Sequence, residues 1–323
     1  MSFSRIRGTG GYLPERIITN HDLERMVDTS DQWIRERTGI SERHIAAEGE
    51  LCSDLAAAAA RRALTAAAFT GRDIDLVVLA TSTPDQIFPS TACLLQERLD
   101  IPRNVIAFDI AAACCGFIYA LDVADRFIRT GGARRALVIG AETFSRILNW
   151  QDRATCVLFG DGAGAVVLEA AEEPGVLATR LHADGRQAAL LNVPWGVSQG
   201  YDRLTDNSGK ITMRGNEVFK VAVRTMGRLV NETLQANNLS REEVDWLVPH
   251  QANIRIMTAL ARKIGFPMER VIVTADRHAN TSAASVPLAL DVAVRDGRIQ
   301  RGQLLLLEAF GAGFTWGSAL VRY

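Results

Sequence analysis

The tightest constraint on this chain is that it writes the same pattern twice. Asp73-Ile-Asp-Leu-Val-Val-Leu-Ala80 is a continuous apolar run of the kind buried on both faces of a sheet. It recurs as Glu243-Val-Asp-Trp-Leu-Val-Pro-His250, with Asp245 opposite Asp75. Further along, Val105–Ile110 resembles Val271–Asp276, and Gly116–Leu121 resembles Ser285–Leu290. Ala136–Gly140 then matches Leu304–Glu308, and Gly164–Leu168 matches Gly317–Val321. One such match could be chance, because βα units look alike; five in the same order point to a duplicated fold. The spacing shortens at the last pair, so the first half carries an extra loop near 143–158. Short β-branched runs alternate with Ala/Leu-rich stretches of helical length, which predicts α/β halves with a mainly parallel sheet. The halves are expected at 1–170 and 171–323. A helix is predicted over 53–68 with Ser53 as its N-cap, and 182–215 reads as loops and caps rather than sheet.

Composition narrows the function classes. Thirty-six basic against 37 acidic residues in 323 give a formal charge of −1, which excludes a wholesale polyanion binder, so no nucleic-acid partner is expected. The N-terminus has no apolar signal core and no run is long enough to span a bilayer, so neither secretion nor a membrane partner is expected. The five cysteines are an odd number without C-x-x-C spacing or a Cys/His cluster. Neither a disulfide framework nor a metal site is indicated, and a reduced, cytoplasmic setting fits.

Ligands of open α/β sheets bind beyond the carboxyl ends of the strands, so the residues after each strand carry the search. After 105–110 comes Ala-Ala-Ala-Cys114-Cys115-Gly116, with no charge from Ile110 to Leu121. A thiol at a helix start sits near the positive end of the dipole, which favours thiolate; a plain Cys pair packing as small hydrophobes is the competing reading. After 244–248 comes Pro249-His250-Gln-Ala-Asn253, and after 271–276 comes Arg277-His278-Ala-Asn280-Thr-Ser-Ala-Ala-Ser285. Phe310-Gly-Ala-Gly-Phe314 follows the last long strand, where backbone N–H groups can form an oxyanion hole or simply a tight turn. Each is weak alone. Together they put a thiol, an imidazole, an amide and a Gly-rich backbone at one sheet edge, which suits acyl transfer.

These same motifs, Ala-Ala-Ala-Cys114 before Gly116-Phe, Val-Pro-His250-Gln-Ala-Asn-Ile-Arg255 and Asn280-Thr-Ser-Ala-Ala-Ser, closely resemble β-ketoacyl-acyl carrier protein synthase III. That family is the initiating condensing enzyme of type II fatty acid synthesis and has the thiolase fold. The likeness runs from Gly8-Thr-Gly-Gly-Tyr-Leu-Pro to the C-terminal Tyr323. It departs at Cys115, where a small non-thiol residue is common, and at Ala279 and Ala312, where glycines are usual.

The resemblance implies a layered α-β-α-β-α architecture and no cofactor or metal beyond the substrates' own CoA and carrier-bound phosphopantetheine. Acetyl-CoA, or another short acyl-CoA, would acylate Cys114; malonyl-acyl carrier protein would then lose CO2 and attack the thioester. His250 Nε2 and Asn280 Nδ2 would stabilise the enolate, and the backbone N–H groups of Cys114 and Ala312 would form the other oxyanion hole. Trp33, Arg37 and Arg153 resemble the CoA contacts. Phe88 resembles the residue that closes the acyl pocket from the partner subunit of a homodimer. Asp161-Gly-Ala-Gly164 looks like a phosphate loop but leads into a strand, so nucleotide binding is not expected there.

Acyl carrier protein is expected on the helix after His250. Ile254, Met257, Ala261 and Ile264 have core-facing spacing, which turns Arg255 and Arg262 outward beside Lys263. Lys220 and Arg224, on a preceding predicted helix, extend the patch. Rival readings are a condensing enzyme using another starter in a secondary pathway, a Cys-His thioesterase or acyltransferase, and a non-enzymatic acyl-CoA binder.

Overall fold

The computed structural model describes residues 2–200 and 209–323 and folds the repeated pattern into two sheets. Its strands are β1 (Phe3–Tyr12), β2 (Arg16–Thr19), β3 (Glu42–Ile45), β4 (Leu76–Ala80), β5 (Ile106–Ile110), β6 (Arg135–Glu142), β7 (Gly162–Ala171), β8 (Val176–Ala183), β9 (Leu191–Asn192), β10 (Thr212–Met213), β11 (Trp246–Pro249), β12 (Leu304–Gly311) and β13 (Thr315–Arg322). The α-helices are α1 (Asn20–Glu24), α2 (Asp31–Thr38), α3 (Cys52–Ala67), α4 (Thr91–Arg98), α5 (Gly116–Arg129), α6 (Arg153–Cys156), α7 (Gly215–Ala236), α8 (Ile254–Ile264), α9 (Ala275–His278) and α10 (Ser285–Arg295).

The first sheet has the order β1-β7-β6-β4-β5 and the second β8-β13-β12-β11. Strand alternation decides the layering. Along β4, Leu76, Val78 and Ala80 face α5 and α10, while Val77 and Leu79 face α3 and α4. Along β12, Leu305 and Leu307 join the same central core, and Leu304 and Leu306 turn out toward α7 and α8. Five layers result: α3 and α4, the first sheet, α5 and α10, the second sheet, then α7 and α8. Both faces of both sheets are covered, which is why the central strands are apolar throughout rather than alternating.

Several expectations need correction. The sheets are mixed, not mainly parallel: β4 is parallel to β5 and β6, and β11 to β12, but every other ladder in the two sheets is antiparallel. A parallel return needs a crossover helix, and the turn between β12 and β13 is too short for one. The 53–68 helix starts one residue early, with Leu51 as N-cap; its N–H is taken by the Asp54 carboxylate at 2.8 Å. Ser53 is buried inside the first turn and donates its own N–H to Asp85. Val271–Asp276, matched to β5, makes a single bridge, Leu247 to Val271, and then turns into α9. The Gln251 amide replaces the ladder: it donates to the Ile272 carbonyl at 2.9 Å and accepts from Thr274 N–H at 2.7 Å. Within 182–215, β8 reaches Ala183 because β13 needs an edge partner, and β9 pairs with β10. The part of that segment at 201–208 lies outside the described residues.

Candidate active site

The nucleophile turn is built from small residues. Ala113–Cys115 form a 3-10 turn that runs into α5, and adjacent side chains there diverge. Cys115 is fully buried in the core between the sheets, whereas Cys114 faces two cavities. The end of β12 closes on this turn. A Cβ on Gly311 would lie 2.8 Å from Cys114 N and 2.9 Å from Cys115 N, so only glycine lets the two halves approach this closely. Gly140 does the same opposite Ala283, whose carbonyl would stand 2.1 Å from an added Cβ.

His250 directly follows β11 and is buried, with its N–H donated to the Glu308 carbonyl at 2.8 Å. Its Nδ1 lies 2.8 Å from Ser285 Oγ, and that oxygen also accepts the Gln251 N–H at 2.7 Å. A hydroxyl that accepts there can still donate to Nδ1, an arrangement that keeps the ring proton on Nε2. Burial drives the imidazole down to about 3, so the ring is neutral at physiological pH. Asn280 Oδ1 accepts from Ser282 N–H at 2.9 Å, which turns the Nδ2 donor the other way. Its backbone is pinned to Leu158 and Gly160 in the first half of the chain.

Cys114, His250 and Asn280 all line one channel of about 350 Å³. Trp33 and Arg37 of α2 line the same channel, and Arg255 stands there too, with its guanidinium 5.9 Å from the Phe219 ring. Trp33 is flanked by two guanidinium groups, Arg37 at 4.8 Å and Arg153 at 5.1 Å from its ring centre. Arg153 is otherwise tied to the Asp28 carbonyl at 2.7 Å. On the other side of Cys114 lies a larger cavity of about 680 Å³, lined by the loops after β4 and β6, by apolar side chains of the 191–197 segment, and by Ala312. Phe88 does not line it; this side chain is 82% exposed.

Lys220, Arg224, Arg255, Arg262 and Lys263 are all exposed on the packed pair α7 and α8. Met257, Ala261 and Ile264 are buried as the spacing predicts. Ile254 is not: it is half-buried against Gly39, where α2 meets α8, and Asn253 ties that junction by donating to the Arg37 carbonyl at 3.0 Å.

The thiolate expected at a helix start does not describe the resting thiol. Burial pushes Cys114 up to about 12. Two carboxyls missed by the sequence reading lie nearby. Glu142 ends β6, fully buried, and Glu308 is buried on β12 with neither carboxylate oxygen bonded and its protonation favoured by burial. Looking beyond the end of every strand would have found Glu142 too. Among the described residues, no three His, Cys, Asp or Glu side chains gather as a metal site, and no helix is long and apolar enough to cross a membrane.

Comparison with known proteins decides the family. Residues 108–185 match the family model described as 3-oxoacyl-[acyl-carrier-protein] synthase III, and residues 234–323 match its C-terminal model. The chain is 66% identical over 323 residues to the β-ketoacyl-[acyl-carrier-protein] synthase III of Alkalilimnicola ehrlichii, covering 100% of both chains. The chain belongs to the β-ketoacyl-acyl carrier protein synthase III family. Its members are condensing acyltransferases, and this one joins an acyl-CoA to malonyl-acyl carrier protein to initiate fatty acid synthesis. The crystal structure of the Aquifex aeolicus synthase III superposes with a TM-score of 0.93 at 50% identity, covering 99% of this chain and 100% of that one. The priming β-ketosynthase of the R1128 polyketide pathway gives the same TM-score at 35% identity, covering 99% and 96%.

Proposed function

We propose that the reaction runs through an acyl-Cys114 thioester, with acetyl-CoA or another short acyl-CoA as starter. What carries this reading is that Cys114, His250 and Asn280 share one channel with Trp33 and Arg37. Trp33, Arg37 and Arg153 hold the CoA nucleotide, and the pantetheine arm runs down the channel to the thiol. The backbone N–H groups of Cys114 and Ala312 bind the tetrahedral oxyanion. After CoA leaves, malonyl-acyl carrier protein docks on Arg255, Arg262, Lys263 and Lys220. His250 Nε2–H and Asn280 Nδ2 then donate to the thioester oxygen as CO2 departs and the enolate forms. These groups perform the chemistry without a cofactor.

The working unit is a cytoplasmic homodimer of chains with halves 1–170 and 171–323. β5 is a sheet edge with Ile106 44% exposed, and Phe88 is exposed in the loop before α4, which packs on β5. An open edge beside a bare aromatic calls for a second copy, whose Phe88 would reach the acyl cavity. A larger starter is the second reading, favoured by an acyl cavity of about 680 Å³, many times the size of an acetyl group. Competition among acyl-CoA chain lengths separates the two. Intact-mass analysis after acetyl-CoA treatment tests the intermediate: an acetyl adduct should form and be absent in Cys114→Ser. An adduct that survives there and disappears in Cys115→Ser overturns the assignment. Release of label from carboxyl-labelled malonyl-carrier distinguishes condensation from simple thioester hydrolysis.

A further inference from the structure

A nucleotide clamp works only if its walls keep a fixed separation. Trp33 and Arg37 stand on α2, which has eight residues, and Arg153 on α6, which has four. Helices this short do not hold themselves in water, so other groups must set where they stand. The Arg153 guanidinium, 5.1 Å from the Trp33 ring centre, reaches the Asp28 carbonyl at 2.7 Å, but that contact lies at the surface, open to competition from water.

A buried contact joins the two walls. Arg43 lies on β3 with its side chain fully enclosed. Its guanidinium donates to three neutral oxygens from three segments. Nη1 reaches the Ile18 carbonyl on β2 at 3.1 Å, while Nη2 reaches Asn20 Oδ1 at 2.9 Å and the Val157 carbonyl at 3.0 Å. Val157 directly follows α6. Asn20 opens α1 and passes the connection on: its Nδ2 donates to Asp31 Oδ1 at 2.8 Å and to the Ile40 carbonyl at 2.8 Å. Asp31 is the first residue of α2, and Ile40 follows Gly39, which caps its other end. One guanidinium thus reaches α6 directly and both ends of α2 through a single amide.

We propose that Arg43 is a positioning residue for the CoA nucleotide: by bonding Val157 and Asn20 together, it fixes the separation of Trp33 and Arg37 from Arg153. The proposal rests on the reading of those three residues as the nucleotide contacts. Arg43 itself does not touch the substrate, because it is closed off from solvent and lines neither of the cavities that meet at Cys114.

The choice of side chain supports this role. Ile18 and Val157, whose carbonyls Arg43 holds, belong to one apolar cluster with Ile34, Ile40 and Cys156. Enclosing a charge at such a place is costly, and none of these three hydrogen bonds goes to a carboxylate that would offset the cost. An apolar side chain would serve better if filling space were the task. A planar fork with donors spread over two nitrogens can meet three acceptors in one geometry, which an ammonium on a flexible stem does not. Burial lowers Arg43 to about 10, so it stays charged at neutral pH and keeps its bonds charge-assisted.

The test compares kcat/KM for acetyl-CoA with kcat/KM for acetyl-pantetheine, which presents the same thioester on the same arm without the nucleotide. The ratio of the two measures what the clamp contributes. In Arg43→Lys, which keeps the charge and loses the fork, the ratio should fall about tenfold through a higher KM for acetyl-CoA, the usual effect of losing a hydrogen bond to a charged group. Asn20→Asp keeps the acceptor for Arg43 but removes the donor to Asp31 and Ile40, and it should lower the ratio likewise. A residue that serves folding alone would slow both substrates together, so an unchanged ratio in Arg43→Lys overturns the proposal. If that variant does not fold, Asn20→Asp carries the test, and an unchanged ratio there is equally decisive. Trp33→Ala tells the two failures apart. A wild-type ratio in that variant means that the nucleotide contacts are misassigned; a collapsed ratio there, with Arg43→Lys and Asn20→Asp unaffected, means that Arg43 does not position them.

Discussion

Removing one hydroxyl, in Ser285→Ala, should separate the two half-reactions of this enzyme. Ser285 Oγ stands at 2.8 Å from His250 Nδ1 and at 2.7 Å from the Gln251 nitrogen, so it fixes the imidazole tautomer while satisfying a buried N–H. A hydrogen bond of this kind contributes about 1 kcal/mol net, and an orphaned buried N–H costs about 1–3 kcal/mol. Without the hydroxyl, the proton can move to Nδ1, and Nε2 then presents a lone pair to the malonyl enolate. A bias of about 1.4 kcal/mol is a factor of ten in tautomer population, and complete loss of a donor costs about 10²–10³ in rate. Release of CO2 from malonyl-acyl carrier protein should therefore fall by about 10 to 10², while acetylation of Cys114 by acetyl-CoA stays within about twofold. The variant's thermal midpoint should also drop. Quench-flow acetylation and labelled-CO2 release measure the two halves on the same preparation. Equal loss in both means that Ser285 only holds the fold, and undiminished CO2 release means that the tautomer argument is wrong.

Deleting the donors themselves should be harsher but equally selective: His250→Ala and Asn280→Ala should still acquire the acetyl group in intact-mass assays while CO2 release collapses by about 10² or more. Arg255→Glu should raise the apparent Km for malonyl-acyl carrier protein and leave acetylation by acetyl-CoA nearly unchanged. That effect should weaken as salt rises; an effect indifferent to ionic strength would remove the patch as the docking site. Acid should destabilise the fold through its buried imidazoles. His250 is held near 3 and His278 near 4 against an ordinary 6.5, so the unfolded chain takes up protons first as pH falls below 6.5. The loss is complete only near the folded values and reaches roughly 5 kcal/mol for His250 at 1.36 kcal/mol per pH unit. Urea midpoints at pH 7 and near pH 4 should diverge strongly in wild type and less in His250→Gln; parallel curves would contradict the burial argument.

The sequence disclosed the parts of the site that lie next to strand ends in the chain. Cys114, His250 and Asn280 each follow a β-branched run, where ligands of α/β sheets bind. What it did not disclose depends on partners far apart. Ser282 meets Glu142 across 140 positions, and Ser285 meets His250 across 35, so only folding pairs them. Gln251 was read as part of a motif, yet its side chain replaces the ladder that Val271–Asp276 was expected to form. The Cys114 reading erred in balance: the helix start was visible, but the depth of burial that outweighs it was not. Ile254 had the right spacing for the core, and its contact with Gly39 could not be read from one helix alone.

The two cavities that meet at Cys114 dictate the order of events at the thiol. If the larger chamber houses the acyl group once it is on sulfur, the channel past Trp33 and Arg37 must empty before a second pantetheine arm can enter. Double-displacement kinetics follow, with parallel lines in a double-reciprocal analysis. Free CoA and malonyl-acyl carrier protein become rivals for one doorway. Excess of either thioester then jams the wrong half of the cycle, so turnover is governed by the ratio of the two pools rather than by either alone.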